Sequence, residues 1–251
     1  MKFSAVLQDS SAVDTFLRIL SATSKLGKKR CCMKLQTDAI NFISCANLHD
    51  GGSWFSLTIP CSSQLFRRFD MVGMNPRQPE QNYIFFELDI DILVRILPGG
   101  HCWLKLKLSK SAKDEPILAI EVRNTDSDIV SHQVPVTIIL SKYWNAYARP
   151  SIGHQKKFTA ISTGDLRMTS NIEHGEVDTR FTDLQTNITE TDSQEEVASV
   201  QLMIKSISTM FQSFIFSRSR VKMNIINHRM AEFNINSEDC TLSYIVGNVS
   251  E

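Results

Sequence analysis

The side chains able to do chemistry are spread thinly along this 251-residue chain. Histidines stand at 49, 101, 132, 154, 174 and 228, and no two have the HxxxH or HExxH spacing that sets two metal ligands on one helix face. Glu173, His174 and Glu176 form the one compact acid and histidine group, but they surround Gly175 and read as a solvated turn rather than a general acid–base pair. The cysteines, Cys31, Cys32, Cys45, Cys61, Cys102 and Cys240, include no CxxC; most lie in apolar strand-like runs, where a reduced thiol is a small hydrophobe. The glycines make neither GxGxxG nor GxxxxGK, so no phosphate cradle for a nucleotide is evident. The sequence nominates no catalytic residue, no metal and no cofactor.

Its cations are more informative. Lys25, Lys28, Lys29 and Arg30 place four positive charges in six residues at the end of a one-faced helix, and Arg18, seven positions before Lys25, shares their side. Two readings stay open: solvated charge well placed at a helix C-terminus, or contact with nucleic-acid phosphates, which needs several long cations and no base-reading group. Lys205, Arg218, Arg220 and Lys222 bracket the last helical stretch in the same way. Asp91 stands four residues before Arg95, the spacing of a helical ion pair. Tyr143, Trp144 and Tyr147 cluster in a connector, where they either fold back on the core or line a groove for a partner peptide.

The elements that must carry these residues follow from periodicity. KFSAVL at 2–7 reads as a strand; Ser10 or Ser11 then caps a helix whose apolar stripe is Val13, Phe16, Leu17 and Leu20 and which ends near Gly27. Strands are expected at 30–35, 39–45 and 53–60, with Gly51-Gly52 turning the chain between the last two. After a looser stretch broken by Pro76 and Pro79 come a strand at 83–88 and a short helix through Ile90, Leu93, Val94 and Leu97, stopped by Pro98-Gly99-Gly100. Strands at 102–108, 117–122 and 129–140 close the first half.

The second half repeats the order strand, short helix, three strands: 197–204, then a stripe through Ile207, Met210, Phe211 and Phe214, then strands near 221, 230 and 240. Two tandem domains of one fold are the economical reading, with boundaries at 1–140 and 157–251 and a connector at 141–156. One mismatch is plain. The second half passes from Pro150 straight to strand-like FTAIS, DLRMTS and VDTRFTD at 158, 165 and 177, leaving no room for an amphipathic helix between Pro150 and Phe158.

Composition sets outer limits. Hydrophobic content of 42% with 22% charged residues suits a folded α+β protein, not a disordered chain. Formal charge is zero, divided as 18 basic and 14 acidic residues in 1–150 against 9 and 13 in 151–251, so any nucleic-acid grip must be local or weak. The N-terminus lacks a signal-peptide pattern and no stretch approaches 18 apolar residues, so a cytosolic or nuclear address is expected, with no membrane.

Several ordered fragments resemble one family. The opening MKF, NFISC at 41–45 followed by Gly51-Gly52 and Trp54, IVSHQVPVTII with Trp144 beyond it, and MIKSISTMFQSF leading to VKMNIINHRMAEFNINSED and TLSYIV are similar to the Hus-type subunit of the nine-one-one checkpoint clamp, a relative of the replicative sliding clamp. The likeness covers residues 1 to about 147 and 176–249. It implies a sliding-clamp fold of two similar domains with outer antiparallel sheets and inner helices, the second lacking its first strand and helix. It also implies a non-catalytic nuclear subunit of a heterotrimer, with two other clamp subunits, a clamp loader, duplex DNA through the ring, and repair and checkpoint proteins as partners. By position, the resemblance makes Arg18, Lys25, Lys28, Lys29, Arg95 and Lys205 face DNA, and assigns subunit joining to strands bearing Ile129, Val130, Val134 and Val136, and Val177, Arg180 and Phe181. Against it stand an adaptor of the same fold that never touches DNA, and a small enzyme whose site forms only in the folded chain.

Overall fold

A computed structural model describes residues 1–27, 29–45, 48, 51–75, 77, 82–124, 129–150, 165–172, 175–185, 198–213 and 219–249. The first half runs β1 (Lys2–Leu7), α1 (Ser10–Leu26), β2 (Arg30–Leu35), β3 (Ala39–Cys45), β4 (Ser53–Pro60), β5 (Arg68–Val72), β6 (Ile84–Asp89), α2 (Ile90–Ile96), β7 (Trp103–Lys110), β8 (Pro116–Arg123), β9 (Val130–Pro135) and β10 (Thr137–Ile138). A 3₁₀ helix, Ser141–Tyr147, opens the connector. The second half holds β11 (Leu166–Ile172), β12 (Gly175–Phe181), α3 (Ile204–Ser213), β13 (Arg220–Ile226), β14 (Met230–Asn236) and β15 (Thr241–Gly247).

All strand pairs are antiparallel. One sheet has the order β5-β1-β7-β8-β9; a second, of eight strands, runs β10-β6-β2-β3-β4-β15-β14-β13; β11 and β12 form a separate hairpin. The eight-stranded sheet is continuous across the two halves because β15 pairs with β4, from Thr241 opposite Thr58 to Val246 opposite Ser53. That contact is close. A Cβ on Gly247 would lie 1.6 Å from the Leu48 carbonyl oxygen, so glycine is required there by packing.

Alternation sorts each strand of the large sheet between two cores. Its inner face, with Met33, Leu35, Ile40, Phe42, Phe55, Leu57, Phe86, Phe233, Leu242 and Tyr244, joins β1, the five-stranded sheet and the helices in the main core. Its outer face carries a smaller cluster of Cys32, Ile43, Trp54, Phe85, Met230 and Ile245, closed by Ile139 and by Trp144 and Tyr147 of the connector.

Helix ends follow local chemistry. Asp9, not Ser10 or Ser11, caps α1 by accepting the Ala12 N–H at 2.7 Å, and the Gly27 N–H returns to the Thr23 carbonyl at 3.0 Å. Asp89 caps α2 by accepting from the N–H groups of Asp91 and Ile92. The expected strand at 129–140 is divided: β9 stays in the five-stranded sheet, and after the Val136 N–H bonds to the Pro116 carbonyl, β10 crosses to pair with β6. β5 falls within the stretch read as loose. Residues 198–203 form no regular strand, yet they are tied down by bonds such as His228 N–H to the Ser199 carbonyl and Val249 N–H to the Gln201 carbonyl. FTAIS at 158 lies outside the described residues, as do Lys28, His174 and Arg218. Among the described residues of the second half, α3 is the sole helix, and it packs against α1.

Candidate nucleic-acid interface

α1 lies between α2 and α3, forming one helical layer over the sheets. Val13, Phe16, Ile19, Leu20 and Thr23 bury one side of α1, which leaves Asp14, Arg18 and Lys25 exposed on the other. Arg95 on α2 and Lys205 on α3 are exposed as well. Arg18 borders an open groove between α1 and the end of α2, lined also by Asp14, Leu17, Val94 and Leu97. Its guanidinium donates to Thr15 Oγ1 at 2.9 Å. Burial and the neighbouring Glu238 hold the Asp239 carboxyl above its usual range, and the Arg18 cation pulls it back, so Arg18 acts on that turn electrostatically.

The remaining expected cations differ in how free they are. Lys25, Arg95 and Lys205 have no ion-pair partner among the described residues. The spacing of Asp91 and Arg95 yields no pair: Asp91 instead accepts from Ser24 Oγ at 2.6 Å, stitching α2 to α1. Lys29 is turned to Asp89 at 3.5 Å, and Arg30 to Glu87 at 3.8 Å. A sparse set of long exposed cations on packed helices can make salt-sensitive, sequence-independent contacts with phosphates, and it offers no group to read bases.

The two strands expected to join subunits both have an edge that no described residue pairs with. β9 ends the five-stranded sheet, and its first residue Val130 and the preceding Ile129 are 50% and 53% exposed. Val134 and Val136 correct the expectation: their side chains are buried in the main core, and the Val136 N–H is taken by the Pro116 carbonyl of the neighbouring strand, so neither side chain is offered to another subunit. On β12, Val177 and Phe181 are 50% and 43% exposed, and Arg180 is held by Asp165 at 2.6 Å. Asp178 accepts two bonds from Arg167 at 2.8 Å, which holds its carboxyl below the usual range.

The connector aromatics fold back onto the outer face of the large sheet. Trp144 stacks on Phe85 with ring centroids 4.7 Å apart and donates through Nε1 to the Ile139 carbonyl at 3.0 Å. The Tyr147 hydroxyl donates to Glu87 at 2.6 Å, and burial together with this carboxylate pushes its pKa up. Tyr143 is 55% exposed. Lys34 lies 4.2 Å over the Tyr83 ring, and burial lowers its pKa. Arg149 then reaches across to Glu232 on β14, a carboxylate with no exposed surface that also accepts from Asn224 at 3.0 Å and Ser243 at 3.4 Å. Sequence reading missed Phe85, Glu87, Arg149 and Glu232; the alternation of YIFFEL, which puts Phe85 and Glu87 on one face, was the available signal for the first two.

No group of three metal-ligating side chains occurs among the described residues. His101 is buried with Nδ1 2.6 Å from Asn124 Oδ1, and His228 occupies a turn with φ of 54°. The described cysteines are all free, and burial raises Cys31 to about 12 and Cys45 to about 11, which suppresses their thiolates. No described helix is long and apolar enough to cross a membrane.

A family model described as Hus1-like protein matches residues 1–159. The chain belongs to the Hus1-like family. Among curated relatives, this Hus1-like chain is 26% identical to the human checkpoint protein HUS1 over 287 residues, covering all of both chains. That alignment is longer than the 251-residue chain, so the human protein has residues without a counterpart here. It is 28% identical to the Drosophila melanogaster checkpoint protein Hus1-like over 182 residues, 68% of this chain and 62% of that one. Solved structures of PCNA superpose over nearly the whole length: Entamoeba histolytica PCNA with TM-score 0.66 at 14% identity and 98% of both chains, and Thermococcus kodakaraensis PCNA with 0.63 at 12% over 98% of this chain and 99% of that one. A. fulgidus PCNA, solved with the C-terminal region of FEN-1, gives 0.64 at 9% identity over 99% of both. The Hus1-like chain has the sliding-clamp fold.

Proposed function

We propose that this chain is a non-catalytic subunit of a heterotrimeric clamp that encircles DNA, is placed at damaged sites by a loader in the nucleus, and serves checkpoint signalling and repair as a scaffold. The observation that carries this reading is the helical layer: α1, α2 and α3 turn Arg18, Lys25, Arg95 and Lys205 outward, while the apolar sides face the sheets. A ring held on DNA by topology needs only such weak phosphate contacts. The edges of β9 and β12 that no described residue pairs with supply backbone groups for neighbouring subunits. A. fulgidus PCNA was solved with a FEN-1 segment; in this chain the candidate contact for client peptides is the exposed Tyr143, beside Trp144 and Tyr147 that are folded back on the sheet.

Zero formal charge and the engagement of Lys29 by Asp89 favour a second reading, a clamp-fold adaptor that does not touch DNA. Native mass measurement separates assembly from isolation. The chain alone should run as a monomer or a heterogeneous oligomer and enter a 1:1:1 complex when co-expressed with two other clamp subunits. A clean homotrimer at three times 28.4 kDa would contradict this.

A further inference from the structure

The two halves each place a three-stranded meander after a short helix, β7-β8-β9 after α2 and β13-β14-β15 after α3. In the first half the leading strand β7 is flanked on its free side by β1, with Leu7 opposite Leu104, Val6 opposite Lys105 and Ala5 opposite Leu106. In the second half nothing among the described residues pairs with the corresponding side of β13, which ends the eight-stranded sheet. The consequence shows at matching positions: Leu104, second in β7, has no exposed surface, whereas Val221, second in β13, is 48% exposed.

The two leading strands also share a charge pattern, with different compensation. Lys105 on β7 is neutralised by Glu121 of β8 at 2.9 Å. Arg220 and Lys222 on β13 face Asn236 and Asn234 of β14, and neither cation has an ionic partner among the described residues. The open edge thus presents exposed Arg220 and Lys222 on one face and Val221 and Met223 on the other, with Phe211 of α3, packed edge-on to Phe233, covering the inner side.

We propose that the outer edge of β13 is a docking edge for an extended segment of a partner protein whose apolar residues alternate with acidic ones. Such a strand pairs antiparallel, as β1 does with β7. It lays apolar side chains against Val221 and Met223 and carboxylates beside Arg220 and Lys222. A second copy of the chain fits poorly. Face-matched antiparallel pairing over the exposed residues sets Arg220 opposite Lys222, or Lys222 opposite itself, and like charges directly opposite repel. The cations that discourage self-pairing therefore select an acidic strand.

The test uses the full chain and two fluorescein-labelled seven-residue peptides, one alternating valine with glutamate and one alternating valine with lysine. Anisotropy should show saturable binding of the glutamate peptide and none of the lysine peptide. Arg220→Glu with Lys222→Glu should weaken the glutamate peptide by about tenfold and admit the lysine peptide, with unchanged melting. Hydrogen exchange should show those amides of 221–224 that point away from β14 open in the free chain and slowed by the glutamate peptide. No binding, equal binding of both peptides, or indifference to the charge reversal would overturn the proposal. So would protection of these amides without peptide, whether by the chain's own residues or in a concentration-dependent dimer.

Discussion

Replacing Arg149 with methionine removes the cation that spans from the connector to β14 while keeping much of its aliphatic length. Glu232, fully buried, would retain the Asn224 bond at 3.0 Å and the long Ser243 bond at 3.4 Å, and lose the Arg149 cation. Stranding one member of a buried pair costs ~3–5 kcal/mol. The Arg149 side chain is 51% exposed, so water reaches the vacated position, and the expected cost falls to ~2–3 kcal/mol. Glu232→Gln in the same background removes the stranded charge and should recover ~1–2 kcal/mol, giving a favourable coupling in the double-mutant cycle. Urea melts of the four chains, fitted with a common m-value, measure each corner. A cost below ~0.5 kcal/mol for Arg149→Met, or strict additivity of the two changes, would refute the idea that this pair fastens the connector to the second half.

Gly247→Ala should destabilise the chain by more than ~3 kcal/mol, because its Cβ would meet the Leu48 carbonyl at 1.6 Å where backbone opposes backbone; thermal melting reads the loss. Native protein at pH 7.5 should alkylate slowly at Cys31 and Cys45 and rapidly once unfolded, as mass spectrometry would follow. Because burial raises these thiols to about 12 and about 11, their contribution to stability is complete below the unfolded thiol range near 9. It is lost as pH climbs through the folded values, so urea midpoints should fall above pH ~9. Replacing Arg18, Lys25, Arg95 and Lys205 with alanine in the reconstituted heterotrimer should leave melting and assembly unchanged and flatten the slope of log affinity against log salt on linear duplex by up to ~3.6; an unchanged slope would favour the adaptor reading.

The parts of the fold legible in the sequence were those set by local pattern. The stripe of Val13, Phe16, Leu17 and Leu20 located α1 and its exposed cations, and Gly51, with φ of 74°, made the turn before β4 that its dipeptide signalled. β5 escaped because RFDMV lies on a sheet edge with half-buried side chains, so no strong alternation marks it. The cap of α1 fell one or two residues early because Asp9 competes with Ser10 and Ser11 for one role. Long-range chemistry left no local trace. Tyr147 meets Glu87 across 60 residues and Arg149 meets Glu232 across 83, and neither pair follows from periodicity. The same limit hid the pairing of Lys29 with Asp89, which made one expected DNA contact already engaged, while alternation along β9 explains why Val134 points inward.

Topology is the central claim, and retention on closed DNA tests it most directly. The heterotrimer containing this chain, loaded on a nicked circular duplex and washed in high salt to remove phosphate contacts, should stay on the circle through gel filtration and leave when a single cut makes the DNA linear. Equal loss from circular and linear DNA would contradict an encircling clamp.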